Sequence, residues 1–444
     1  MKILFISLGC DKNLCDSEVM LRLLSDSGHE ITDDENEAEA VVINTCGFIQ
    51  SAKEESIDTI LRMDGLRENG RLKYIIAAGC MSERYRDEML SEMTEVDAIV
   101  GTTSYDRIVD ALNDCVKGER KGYFRSIDDD PEPRERLLSA GSHRAYIKIA
   151  EGCDKHCTYC AIPLMRGHYR SRPEEDVLKE AEELAKAGVR ELILVAQETT
   201  LYGKDLYGRK TLPALLRKLC RIDGIEWIRL LYCYPEEITK ELINTMASER
   251  KIVHYIDMPI QSGSDTVLKR MGRRITGEKI REIVSRIREG IPDIALRTTI
   301  ISGFPGETEE EHEETLELVR ELRFERLGVF EYSKEEGTPA AKLKPQIRAD
   351  VKRKRRNSIM ALQQKIAFEK AGSMTGKTVS AIVEGKLTDE KDIYLGRTYM
   401  DAPDVDGFIF IRSEEELLSG DILDVKVTMA REYDLIGEAD YEHS

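Results

Sequence analysis

No stretch of this 444-residue chain approaches the roughly 18 consecutive apolar residues of a membrane-crossing helix. The opening MKILFISLGC carries one lysine and an apolar run too brief for a secretory signal followed by a cleavage site. A cytoplasmic protein without membrane association is therefore expected. Its ten cysteines then need an explanation other than a disulfide framework, and metal or redox work is the natural one. An excess of basic residues is also missing. Charged residues make up 34 % of the chain and the net charge is −18, so the footprint of a general nucleic-acid binder is absent and RNA contact is not favoured; a basic partner suits the balance better. Solenoid repeats are not evident. The length suggests two to four domains, and an apolar content of 41 % suffices for several cores.

What is present concentrates between Lys148 and Arg172, KIAEGCDKHCTYCAIPLMRGHYRSR. Cys153, Cys157 and Cys160 form a C-x-x-x-C-x-x-C array directly after the strand-like run AYIKIA, and no fourth cysteine follows nearby to close a tetrahedral zinc site. Three thiolates suit either zinc with a missing ligand or a cubane iron–sulfur cluster with three of its four irons held by protein. The uneven spacing differs from the paired C-x-x-C knuckles of zinc ribbons and resembles the signature of the radical S-adenosylmethionine (SAM) enzymes. In those enzymes the open iron binds the amino and carboxylate groups of the methionine moiety. The position of Tyr159 lies near the adenine; a packed aromatic is the plainer reading of that residue taken alone.

Residues 1–116 read as an α/β domain with a parallel sheet. Strands at Lys2 to Ser7, Ala40 to Asn44, Tyr74 to Ala78 and Asp97 to Val100 alternate with helical patterns at Asp16 to Asp26, Ala52 to Met63 and Glu83 to Met93. Right-handed crossovers then point every strand the same way. Cys10, Cys46 and Cys80 each follow a strand by one to three residues, in LGC, NTCG and AGC, so parallel pairing brings them to the sheet edge where such folds build sites. The three are read as holding a second cluster, again with an open iron, against the alternative of three buried structural cysteines. Cys15 is an adventitious ligand at most. Residues 117–143, charged and punctuated by Pro and Gly, read as a linker.

From 144 to 371 the alternation resumes with a longer period. Strands are expected at Tyr146 to Ala150, Glu191 to Ala196, Trp227 to Tyr232, Tyr255 to Ile260, Leu296 to Ser302 and Arg326 to Tyr332, with helices such as Glu174 to Ala187 and Glu309 to Leu322 between them. Six units make a partial, open (β/α)6 barrel whose chemistry sits at the C-terminal mouth. Cys153, Gln197, Glu198, Cys233, Tyr234, Gln261, Gly303 and Ser333 fall on that rim. The segment ISGFPGET resembles the superfamily's element near the SAM adenine, with glycines that permit close backbone approach. Arg297 faces a cofactor carboxylate or ribose, or else is a solvated edge residue. Cys115, Cys220 and Cys233 read as structural. A long polar helix from Asp350 to Ala371 leads into residues 372–444, where the short strands TVSAIVEG, IYLGRTYM, GFIFIRS and DILDVKVTMA suggest a small closed β-barrel. From Gly376 to Ser444 there are 7 lysines and arginines against 17 aspartates and glutamates, a net of −10. Such a barrel repels phosphates and attracts a basic protein surface, unless its acidity is merely solubilising.

Two three-cysteine sets on two α/β modules with a terminal TRAM-like barrel resemble, over essentially the whole chain, the methylthiotransferases of the radical SAM superfamily. The segments SLGCDKNLCDSE, NTCGFI, AEGCDKHCTYCAIPLMRGHYRSRP, RTTIISGFPGETEEE and DAPDVDG are most similar to the branch that modifies an aspartate on the twelfth small-subunit ribosomal protein. Asp11, where that branch commonly has proline, and Cys15 are departures. The resemblance implies two [4Fe–4S] clusters and SAM. The cluster on Cys153, Cys157 and Cys160 splits SAM to a 5′-deoxyadenosyl radical that takes hydrogen from the aspartate β-carbon. The cluster on Cys10, Cys46 and Cys80 supplies the sulfur, and a second SAM methylates it. It further implies Tyr159, Gln197, Gln261, Arg297 and Gly303 as SAM-side residues, a basic ribosomal protein as substrate, and an electron donor such as flavodoxin or ferredoxin. An unactivated C–H bond offers no acidic proton to a general base, which is why the cofactor carries the hard step. Alternatives are a tRNA adenosine methylthiotransferase, a non-catalytic metal-bearing RNA-binding protein, and a radical SAM enzyme whose second cluster only relays electrons.

Overall fold

Runs such as AVVINT and ELILV, buried at every position, belong to strands covered on both faces, and the computed structural model contains two parallel sheets built round them. It describes residues 1–67, 70–129, 135–138, 143–388 and 390–441.

The first sheet has six parallel strands in the order Glu30–Thr32, Lys2–Ser7, Ala40–Thr45, Tyr74–Gly79, Ala98–Val100 and Lys121–Tyr123. Four were expected; the two edge strands are three residues each and partly exposed, too short and polar to show an apolar period. The second of them corrects the linker at 117–143, which supplies the sheet's last strand. Residues 130–134 and 139–142 of that connection lie outside the described residues.

The second sheet runs Arg144–Lys148, Glu191–Val195, Trp227–Leu230, Ile252–Asp257, Ala295–Ser302 and Arg326–Glu331 in sequence order, all parallel, as an open partial barrel. Its outer face packs on helices through Val177, Ala181, Leu184, Leu216 and Ile283. Helix Glu309–Leu322 has the expected bounds because Thr308 and Glu311 form a reciprocal capping box. Among the described residues no helix is long and apolar enough to cross a membrane.

Helix Ala349–Gly372 leads to a closed barrel ordered Thr378–Lys386, Ile393–Thr398, Ile409–Arg412, Asp434–Ala439 and Ile422–Arg431. The fifth strand, DLIGEA, was hidden in the acidic tail. This barrel sits against the inner face of the open one: Tyr146, Ile193, Trp227 and Tyr255 share a core with Val379, Val383, Tyr394 and Ile409. Fully buried ions cross the junction. Glu191 accepts from Arg229 at 2.7 Å and from Arg397 at 2.5 Å, and Arg397 also reaches Glu384 at 2.6 Å. Burial would raise the Glu191 carboxyl, but Arg397 and Arg229 hold it at about 2; Glu384, opposed by burial and held by His143 and Arg397, also stands at about 2. Asp401 pairs with Arg326, and Asp406 accepts from Tyr255 at 2.9 Å. Part of the acidic excess of the C-terminal barrel is thus spent inward.

Since both carboxyls titrate below their ordinary 4.5, their stabilisation is complete above that pH and is lost as pH falls towards 2. Breaking the pair from one side leaves a buried charge, so Arg397→Leu is expected to cost about 3–5 kcal/mol. Thermal unfolding, with limited proteolysis after helix Ala349–Gly372, would show at neutral pH a loosening that the unaltered chain shows only in acid.

Candidate active site between two cysteine trios

The loops of the first trio leave three neighbouring strands. Cys10 caps helix Asp11–Asp26 after strand Lys2–Ser7, Cys46 follows Ala40–Thr45, and Cys80 opens helix Cys80–Arg84 after Tyr74–Gly79. Gly9 has φ +90, and a Cβ there would lie 2.9 Å from Cys46 Cβ, so only glycine lets the Cys10 loop lie on the Cys46 loop. Burial pushes the Cys80 thiol up to about 12, Arg166 opposing, and raises the Cys46 thiol. Thiols in that condition are poor nucleophiles and ionise when a metal supplies positive charge.

The second trio is shaped by the turn after Ala150–Glu151. Cys153 N–H donates to Gly167 O at 3.1 Å and Cys160 N–H to Cys157 O at 3.0 Å, while Tyr234 Oη stands 3.8 Å from Cys157 Sγ. Burial raises the Cys153 thiol to about 11 and the Cys160 thiol well above its usual range. Among the described residues no group of three His, Cys, Asp or Glu side chains is gathered tightly enough to hold a metal ion. Three thiolates, each meeting a different iron, are the donor set of a cubane with one open iron.

Round the barrel mouth, three buried acceptors lack a hydrogen-bond partner within the protein: Gln197 Oε1, Gln261 Oε1 and Glu198 Oε2, the last with Lys155 Nζ 3.8 Å away. An unpaired buried acceptor is costly, and these three suit the ammonium and hydroxyl donors of a nucleoside–amino-acid cofactor such as SAM. Gln197 Nε2 donates to Glu151 at 2.6 Å, and Gln261 is held with φ +72 by backbone bonds to Thr299 and Ile301. Tyr159 packs edge-on against Phe304 of the ISGFPGET segment, ring centroids 6.5 Å apart.

Two expected SAM-side residues also have partners within the chain. Arg297 is no solvated edge residue: it pairs with Asp257 at 3.1 Å and, across the junction, with Asp406 at 3.5 Å. Gly303, φ +70, is required because a Cβ would meet Lys352 Cγ at 2.4 Å on helix Ala349–Gly372. Cys15 is buried with its sulfur 3.5 Å from Tyr146 O, in the apolar cluster under the barrel and outside the trio.

The loops that carry the two trios touch. Cys80 packs on Ala161 and Met165, immediately beyond Cys160. Tyr232 donates to Asp11 at 2.9 Å while Lys12 Nζ lies 3.2 Å above its ring. Glu335, 2 % exposed, receives Arg84 at 2.9 Å and Lys53 at 3.0 Å. Sequence reasoning did not single out Tyr232 and Glu335, because each meets a partner far away in the chain.

Residues 2–101 match the uncharacterized protein family UPF0004, 147–319 the radical SAM superfamily and 375–439 the TRAM domain. The chain is 57 % identical, over 99 % of its length and 100 % of the relative's, to the ribosomal protein uS12 methylthiotransferase RimO of Lachnoclostridium phytofermentans. It is 51 % identical to that of Acetivibrio thermocellus, over 100 % and 99 % of the two chains. The chain belongs to the RimO family. Among solved structures, the radical SAM methyltransferase TsrM of Kitasatospora setae shares the fold at TM-score 0.54 and 15 % identity, covering 85 % of this chain and 77 % of that one. The RimO-family identity makes this chain a radical SAM transferase, with the family's three modules in the order expected.

Glu198, on the rim of this RimO-family barrel, is fully buried, and burial raises its carboxyl to about 7 against the opposing Lys155 at 3.8 Å. The folded chain therefore holds a proton that the unfolded chain releases near 4.5, and stability falls as pH rises from there to about 7. Glu198→Gln is expected to raise the unfolding free energy by up to about 3 kcal/mol at pH 8 and to leave it unchanged at pH 4, as measured by denaturant unfolding without added SAM.

Proposed function

We propose that this chain adds a methylthio group to the β-carbon of an aspartate in uS12, the twelfth small-subunit ribosomal protein. Near full-length identity to uS12 methylthiotransferases supports the reaction and the substrate. The single observation that carries the reading is the contact of Cys80 with Ala161 and Met165, because sulfur insertion needs the first trio within reach of the barrel mouth. In this reading Cys153, Cys157 and Cys160 hold one [4Fe–4S] cluster and Cys10, Cys46 and Cys80 the other, each with an open iron. Bound together, cluster and SAM supply the radical chemistry that an unactivated C–H bond demands.

The chain's own groups orient and shield. Gln197, Glu198 and Gln261 offer acceptors to the amino and hydroxyl groups of SAM. Tyr159 and Phe304 give its adenine an apolar wall. Glu335, Arg84 and Lys53 seal the edge between the two domains, which keeps water from a reactive carbon centre. The acidic C-terminal barrel favours a basic ribosomal protein over RNA. A cytoplasmic location and a flavodoxin or ferredoxin as electron donor complete the reading.

Mass spectrometry of ribosomal proteins and tRNA from cells with and without the gene tests it. A methylthio increment on uS12 that disappears with the gene is expected. Its appearance on tRNA adenosine instead would replace the substrate, and zinc without acid-labile sulfide in the purified chain would remove the chemistry.

A further inference from the structure

One fully buried side chain touches all three cysteine loops of the first domain. Asn13 Nδ2 donates to Leu8 O and to Thr45 O, each at 3.0 Å, two residues before Cys10 and one before Cys46. Its Oδ1 stands 3.4 Å from Cys80 Sγ and takes Nη2 of Arg166 at 2.5 Å. A side-chain amide has two N–H donors and one oxygen with two lone pairs, so each capacity is used and neither Asp nor Leu could replace it. The backbone of Asn13 is pinned as well, its carbonyl accepting from Asn44 Nδ2 at 2.8 Å and Ser17 Oγ at 2.9 Å.

Arg166 arrives from the other domain, six residues past Cys160, and is 2 % exposed. Its Nη1 reaches Asp16 at 2.8 Å and Glu151 at 3.1 Å, and Glu151 accepts from Gln197 at 2.6 Å. Lys148 pairs with the same two carboxylates. A continuous polar chain thus runs from Cys80 through Asn13, Arg166 and Glu151 to Gln197 on the barrel rim. The Asn13 oxygen that faces Cys80 Sγ at 3.4 Å also holds Arg166 Nη2 at 2.5 Å, which sets the guanidinium beside that sulfur.

We infer that Asn13 and Arg166 are positioning residues for the first trio: Asn13 holds Cys10, Cys46 and Cys80 as one unit, and Arg166 fixes that unit against the second trio and offsets its charge. The inference rests on the cluster assignment proposed above. A cation held in a buried site favours the more negative, reduced form of a neighbouring cluster, and groups of this kind outside the ligand set tune metal sites.

The test uses the full chain reconstituted anaerobically with iron and sulfide, with an EPR-monitored redox titration, an iron count, and reductant-dependent 5′-deoxyadenosine as the readout of the second trio alone. Arg166→Gln is expected to lower the midpoint of the first-domain cluster by about 59 mV, a tenfold shift in a one-electron equilibrium, and Arg166→Lys to recover most of it. Asn13→Asp, with a negative charge at the same spot, is expected to move it the same way as Arg166→Gln, which keeps the question open to measurement if the latter does not fold. Asn13→Leu is expected to lose about half the iron, one of two equal clusters, while 5′-deoxyadenosine still forms. Equal midpoints in Arg166→Gln and Arg166→Lys, or full iron in Asn13→Leu, overturn the inference alone. A wild-type chain that takes up only one cluster overturns the functional reading and this inference with it.

Discussion

Parallel pairing is the constraint from which the site follows. A strand pointing one way delivers whatever comes after it to one edge of its sheet, and three neighbouring strands, Lys2–Ser7, Ala40–Thr45 and Tyr74–Gly79, deliver Cys10, Cys46 and Cys80 together. The central sheet obeys the same rule at its own mouth, with Cys153 after the first strand, Glu198 after the second and Gln261 after the fourth. Neither set of donors lies in one segment of sequence. Each exists only because crossovers return the chain in the same direction, and the two meet where Cys80 packs on Ala161 and Met165.

That setting is made with polar groups. Tyr232 meets Asp11 and Lys12, Arg166 meets Asn13 and Asp16, and Glu335 gathers Arg84 and Lys53. An apolar face of the same area would tolerate sliding, since burial is non-directional. Buried hydrogen-bonded ions are satisfied in one register only, and an offset would strand each of them at a cost of several kcal/mol. The C-terminal barrel is fixed to the inner face of the central sheet in the same manner, through Glu191, Arg229 and Arg397. Outward-facing acids, Glu414, Glu415, Glu416 and Glu432 among them, carry the rest of its charge.

What local pattern encodes was legible in the sequence, and what pairing at a distance encodes was not. Strands buried on both faces, the capped helix Glu309–Leu322 and both cysteine sets announce themselves by apolar runs, a Thr-x-x-Glu start and position after a strand. Edge strands Glu30–Thr32 and Lys121–Tyr123 do not, because three half-exposed residues carry no period and form only when a neighbour's edge is there to receive them. Arg297 and Gly303 were placed by their strand, but the partners each has within the fold, Asp406 and Lys352, lie 109 and 49 residues further on and are invisible to any window along the chain.

Burial of the thiols couples assembly to metal. Burial raises the thiols of Cys46, Cys80, Cys153 and Cys160 above their ordinary value, and a thiol that does not ionise neither attacks electrophiles nor oxidises readily. The same burial penalises any thiolate that lacks a compensating cation. In the proposed reading iron would remove that penalty by bonding the sulfur directly. The guanidinium that lowers the Cys80 thiol against its burial, Arg166, belongs to the other domain, so the two domains meet at the very group that eases ionisation in the first trio.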